Sequence, residues 1–189
     1  MARITQNALV KGARGNVGKQ FVYKKRGKNT HIALMPTIDK NTVPTDNQIR
    51  VRDKFADASA YATGAMASPE LKAEYDRKTP AGKTGHNMAF RDALKAPVVK
   101  SIDPGKYAGL TGALIEISAK DDFRVASVFV SIRTATGELV EEGNVLLNPI
   151  HRNRWVYTTV KENPSMAGGS ISATAKDIPG NEGKLDITL

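Results

Sequence analysis

The sequence predicts an α+β protein in which an N-terminal β-hairpin and about three helices precede an all-β sandwich of seven strands. Three observations carry this. In residues 121–134 (DDFRVASVFVSIRT), Val125 or Ala126, Val128, Val130 and Ile132 alternate with Ser127, Phe129, Ser131 and Arg133, the period of a strand buried on one face. After Pro97 the chain breaks into short β-rich runs with turn residues between them, and before it, from Asp46 to Lys95, apolar residues recur at helical steps.

Taken in order, residues 1–16 show neither period and read, with Gly12 and Gly15, as a flexible leader. From Val17 to Lys24 two alternating faces appear, and His31 to Met35 repeat them after Arg26 and Gly27. A hairpin closed near Arg26 and Gly27 is the economical reading. Two strands alone are marginal, so this hairpin needs a partner surface, either the helices that follow or another protein. Residues 37–44 form a loop. Thr45 is a candidate N-cap, with Gln48 completing a capping box, and Val51, Phe55, Ala58, Ala62 and Ala65 mark one face of a helix over 46–66. Ser68 as cap, Pro69 at the first helical position and Glu70 in the first turn start a second helix, which carries Leu71 and Tyr75 inward and stops near Thr79 and Pro80. A third helix over 84–95 offers Ala89, Phe90, Ala93 and Leu94, and Pro97 ends it.

The seven strands are read at 98–102, 113–119, 124–133, 139–147, 154–160, 170–176 and 184–189. Their number and spacing within about 90 residues indicate an immunoglobulin-like sandwich. Trp155, the only Trp, falls in the fifth strand and reads as core. Composition therefore divides the chain at 96/97, into a basic hairpin-plus-helices region and the sandwich.

With 189 residues and no Cys, the chain can bury a core without crosslinks, and it suits a reducing compartment or a particle assembled in one. Residues 1–20 hold no apolar run longer than Ala8, Leu9, Val10, so no signal peptide or membrane span is expected. The expected location is cytoplasmic or virion-associated. The net charge of +9 is uneven. Residues 1–96 hold 18 bases and 8 acids, whereas 97–189 hold 10 and 11. Arg3, Lys11, Arg14, Lys19, Lys24, Lys25, Arg26 and Lys28 stand within residues 1–38, which contain no acid. Such an arm either seeks an anionic partner or simply aids solubility. The candidate binding residues are Lys19, Phe21, Tyr23, Lys24, Lys25, Arg26 and Lys28.

Other motifs fail on spacing. In GARGNVGKQ the glycines match neither a dinucleotide loop nor a P-loop. TPAGKTGH has Gly82-Lys83-Thr84, but Arg77 stands where the first loop glycine is needed. His31, His86 and His151 lack ligand spacing, and no Ser, His and Asp set forms a catalytic arrangement. Asp121, Asp122, Asp177 and Asn181 stand at turns that can converge at one end of the sandwich, where their oxygens suit calcium. Turn chemistry, in which Asp and Asn bond their own backbone, accounts for them equally well. No catalytic residue, metal or cofactor is assigned, and the chain reads as a non-enzyme.

Within residues 97–189, DDFRVASVFVSIRTATGELVEEG, then Trp155 and Tyr157, then ISATAKDIPGN resemble bacterial immunoglobulin-like repeats. The N-terminal GNVGKQFVYKKRGK, PTDNQIRVRDKFADASAYA and SPELKAEY are similar to small uncharacterised proteins of Bacteroidota and their phages. The resemblance implies adhesion, spacing or assembly, as in virion components. The expected function is thus that of a structural protein whose basic region docks on protein subunits of an assembly, itself as a homo-oligomer included. In that reading the hairpin adds its strands to a neighbour's sheet edge. Nucleic-acid binding by the same hairpin is the alternative, and neither a membrane nor a small-molecule substrate is expected.

Overall fold

The computed structural model describes residues 2–4, 10, 12–26, 29–37, 42–105 and 107–189, with residues 2–4 and 26 described by their backbone alone. The chain divides into two compact units, Met1–Thr45 and Asp46–Leu189. Grouping by packing thus differs from grouping by composition, because the helices bury their apolar faces with the C-terminal strands.

The first unit is a four-stranded antiparallel sheet of β1 (Ala2–Ile4), β2 (Gly15–Val17), β3 (Phe21–Arg26) and β4 (Asn29–Leu34), in the order β1-β4-β3-β2. The expected hairpin is β3 with β4, in register from Phe21 opposite Leu34 to Arg26 opposite Asn29. Gly27, where it was expected to close, lies outside the described residues, as do residues 38–41 of the expected 37–44 loop. Two expectations need correction. The continuous strand expected from Val17 to Lys24 is broken by a turn. There Gly18 and Lys19 both take positive φ, 58° and 57°, while the Gln20 amide donates to the Val17 carbonyl at 3.1 Å. The leader expected over 1–16 supplies two strands: β1 pairs with β4, and β2 with β3. Hairpin edges offer unpaired backbone groups to any extended neighbour, and segments of three residues are too short for alternation to show.

In the second unit, α1 (Asp46–Ala67), α2 (Pro69–Lys78) and α3 (Gly85–Leu94) lie where the sequence places them. The Ser68 hydroxyl accepts from the Leu71 amide with Pro69 at the first helical position, and the Thr84 hydroxyl accepts from the Asn87 amide at 3.3 Å. Thr84 therefore serves as a helix start, as the failed P-loop spacing implies. On α1, Ala58, Ala62 and Ala65 are buried. Val51 and Phe55, assigned to the same face, stay 67% and 59% exposed, although Phe55 meets the Phe90 ring edge-on at 4.8 Å. Length explains this: the 22 residues of α1 outrun the 10 of α3, whose cover spans only about 15 Å.

All seven expected strands form: β5 (Val98–Asp103), β6 (Leu114–Lys120), β7 (Val125–Arg133), β8 (Leu139–Leu147), β9 (Arg154–Thr158), β10 (Ser170–Asp177) and β11 (Glu182–Thr188). They are hydrogen-bonded as one antiparallel sheet in the order β11-β10-β7-β8-β9-β6-β5. The nine residues of β8 make this possible. Leu139 to Val145 pair with β7, then Leu146 and Leu147 pair with the shorter β9. The outer strands β11 and β5 meet, since a Cβ on Gly183 would stand 1.9 Å from the Pro97 carbonyl oxygen, so the sheet nearly closes on itself.

Inside it lie Ile115 and Ile117 of β6, Val128, Val130 and Ile132 of β7, Trp155 and Tyr157 of β9, and Ile171, Ala173 and Ala175 of β10. The inward face expected for β7 and the core role of Trp155 both hold. Cutting Ile132 to Ala removes apolar contacts that cannot re-form, so Ile132→Ala is expected to cost about 2–5 kcal/mol in urea unfolding. Phe129→Ala, on the outer face of the same strand, is expected to cost less.

Candidate functional sites

Directly opposed residues of an antiparallel ladder point to the same side. In the N-terminal sheet the register therefore gathers Val17, Phe21 and Leu34 with Tyr23, Ile32 and Lys25 on one face. Val22 and Lys24, with His31, Ala33 and Asn16 opposite them, take the other. The first face is apolar and open, with Val17 51%, Phe21 39% and Leu34 74% exposed. None of the described side chains of this unit is buried.

The predicted binding residues are thus only partly brought together. Phe21, Tyr23 and Lys25 share a face, and Lys24 lies on the opposite one. Lys19 sits in the β2–β3 turn, the one non-glycine with positive φ among the described residues. Arg26 ends β3, and Lys28 lies outside the described residues. The edges that the expected strand addition would use are partly covered. Both hairpin strands are flanked only in part, β3 by β2 along Phe21–Tyr23 and β4 by β1 along Thr30–Ile32, so Lys24–Arg26 have no described strand partner on that side.

A second cluster joins the helices to the sandwich. The Tyr75 ring is wholly buried and stacks on Phe123, from the β6–β7 connection, with centroids 4.1 Å apart. Its hydroxyl donates to Asp92 Oδ2 at 2.7 Å and lies 2.8 Å from the Tyr61 hydroxyl. Asp92, in the last turn of α3, has no exposed surface. It meets Asp121 at the end of β6 and Asp177 at the end of β10, each offering a carboxylate oxygen within 4.8 Å of the others. Asp121 Oδ2 accepts from the Phe123 and Arg124 amides, and Asp177 Oδ1 from the Gly180 and Asn181 amides. Asp92 Oδ1 and Asp121 Oδ1 are buried without a donor.

Burial, aided by the Asp121 charge and opposed by the Tyr75 hydrogen bond, pushes the Asp92 carboxyl up to about 7. Burial also raises that of Asp177. Three carboxylates so close require a proton or a cation among them.

Of the acids and amides grouped by the sequence, Asp121, Asp177 and Asn181 do converge. Asp122 does not join them, because Arg91 and Lys95 pair with it at 2.7 and 2.8 Å. The Asn181 amide donates to Asp177 and to the Asp92 and Ala93 carbonyls, holding the cluster together from outside. Asp92 is the member that sequence reasoning missed. It stands three residues after Ala89, on the helical face assigned to the core, and an acid in that register was the available signal.

No family model matches the chain, and no curated protein matches it. Solved structures similar to it include CopC from Methylosinus trichosporium OB3b, at 17% identity and a TM-score of 0.35, over 49% of this chain and 91% of that one. An engineered protein is similar at 23% identity and a TM-score of 0.32 over 53% of this chain, which spans only 21% of that protein's length.

The acid cluster sets a pH dependence in chelator. The folded Asp92 value, about 7, lies above the unfolded one of about 3.9. Its contribution is therefore fully present below pH 4 and is lost as pH rises through 7. In EDTA, Asp92→Asn is expected to gain stability relative to wild type between those values, as measured by urea unfolding at each pH; a pH-independent difference would contradict it.

Proposed function

We propose that this protein is a non-enzymatic structural or interaction protein, a component of a phage virion or similar assembled particle, which docks through its N-terminal sheet on a protein subunit. The observation that carries the reading is a four-stranded sheet with no buried side chain among its described residues and an open apolar face. Such a sheet gains little from its own folding and much from a surface that covers Val17, Phe21, Tyr23, Ile32 and Leu34.

Charge supports the same assignment. Residues 1–45 hold nine bases and one acid, so they carry +8 of the total +9. An acidic rim around an apolar patch fits this complement, with Lys19, Lys24 and Lys25 steering the encounter. The C-terminal strands are read as immunoglobulin-like, because β5-β6-β9-β8 beside β7-β10-β11 follows the four-plus-three order of such sandwiches. In this reading the sandwich spaces or packs beside neighbours.

The same charge favours nucleic acid as the second reading, with phosphates on the lysines and bases on Phe21 and Tyr23. The two are separable. Docking on protein predicts an oligomer or a co-purifying particle subunit in light scattering, with association weakened at least about tenfold by Leu34→Asp. Nucleic-acid binding predicts a gel shift that weakens steeply with salt and is lost in the Lys24→Glu, Lys25→Glu double variant. A strictly monomeric protein that recovers no particle subunit would overturn the first reading, and no shift at low salt the second.

A further inference from the structure

We propose that Asp92, Asp121 and Asp177 form a binding site for a hard divalent cation, calcium by its readiness to shed water, that ties α3 to the end of the β-sheet. Turn chemistry accounts for Oδ2 of Asp121 and for both oxygens of Asp177, whose Oδ1 takes the Gly180 and Asn181 amides and whose Oδ2 takes the Asn181 side chain, but not for Oδ1 of Asp121. It leaves Asp92 outside altogether, since this residue comes from a helix. Asp92 is fully buried and its Oδ1 is bare, and Oδ1 of Asp121 is buried and bare as well.

Among the described residues, no side-chain cation pairs with these charges. Among the described residues, the ion pairs engage Glu74, Glu116, Asp122, Glu182 and Asp186, and none includes the three acids. Arg91 and Lys95, which flank Asp92 in sequence, are both drawn to Asp122, and the Lys78 ammonium donates to the Phe123 carbonyl.

Oxygen-only ligands select hard ions. The oxygens lie within 4.8 Å of one another, close enough for a single ion to bridge all three. Magnesium demands near-ideal octahedral geometry and gives up its water reluctantly, so a cluster of protein carboxylates suits calcium better. Three carboxylates short of a full protein shell point to modest affinity, in a Kd range of about 10⁻⁴–10⁻³ M.

The test uses the full chain stripped with chelator. Calorimetry should show Tm rising with calcium, by about 5–10 °C at a hundredfold excess over Kd, and less with magnesium. Terbium should bind with luminescence sensitised by Tyr75, calcium should displace it, and Asp92→Asn and Asp121→Asn should each abolish the signal. Terbium binding to wild-type protein stands as a readout even if a variant fails to fold. A Tm indifferent to calcium together with no calcium-displaceable terbium signal would overturn the proposal and leave a shared proton in the cluster. A signal that survives in both variants would overturn it as well, by placing the ion elsewhere.

Discussion

Burial of the Tyr75 hydroxyl is the constraint on which the second unit depends. A tyrosine ring placed fully inside contributes a large apolar area, but its O–H must find an acceptor there. Asp92 provides it, with Tyr61 as the third member. One residue from each helix is thereby committed to one network, and the stacked Phe123 ring commits the β6–β7 connection as well. Burial, reinforced by Tyr61 and Asp92, holds Tyr75 protonated far above neutral pH, and with its one proton given to Asp92 it accepts from the Tyr61 hydroxyl. The ionisable burden then falls on Asp92, and through it on Asp121 and Asp177.

The two units divide the physical work. Residues 46–189 carry nearly balanced charge, 19 bases against 18 acids, around a deep aliphatic core. Residues 1–45 carry the excess charge and bury none of their described side chains. A sheet built this way leaves its side-chain surface open. That is the state expected of an element whose partner is another molecule.

Much of the fold was legible because the elements of residues 46–189 obey local rules. Ser68-Pro69 and Thr84 announce helix starts, and the alternation of Val128, Val130 and Ile132 announces a one-sided strand. Strands β1 and β2 were not legible, since three residues hold no period and their pairing is set by the free edges of β3 and β4. The exposure of Val51 and Phe55 was hidden for another reason. Periodicity says which residues share a face, but the length of the partner decides how much of that face is covered. The acid cluster was half legible: turn residues announced Asp121 and Asp177, whereas Asp92 comes from a distant helix and only tertiary packing brings it to them.

A second buried acid shows what sets the cluster apart. Glu141, 3% exposed, lies beside the end of β9, and its Oε2 accepts from the Tyr157 hydroxyl and from the Val160 and Lys161 amides. Three donors on one oxygen stabilise a single buried charge without a counter-ion. Its Oε1 is bare, like Asp92 Oδ1, so a bare oxygen alone does not distinguish the two sites. What differs is the company: Glu141 sits among hydroxyls and amides, whereas Asp92 faces two further carboxylates with the Tyr75 hydroxyl as its one side-chain donor. Hydrogen bonds can compensate the first arrangement, but the second calls for positive charge.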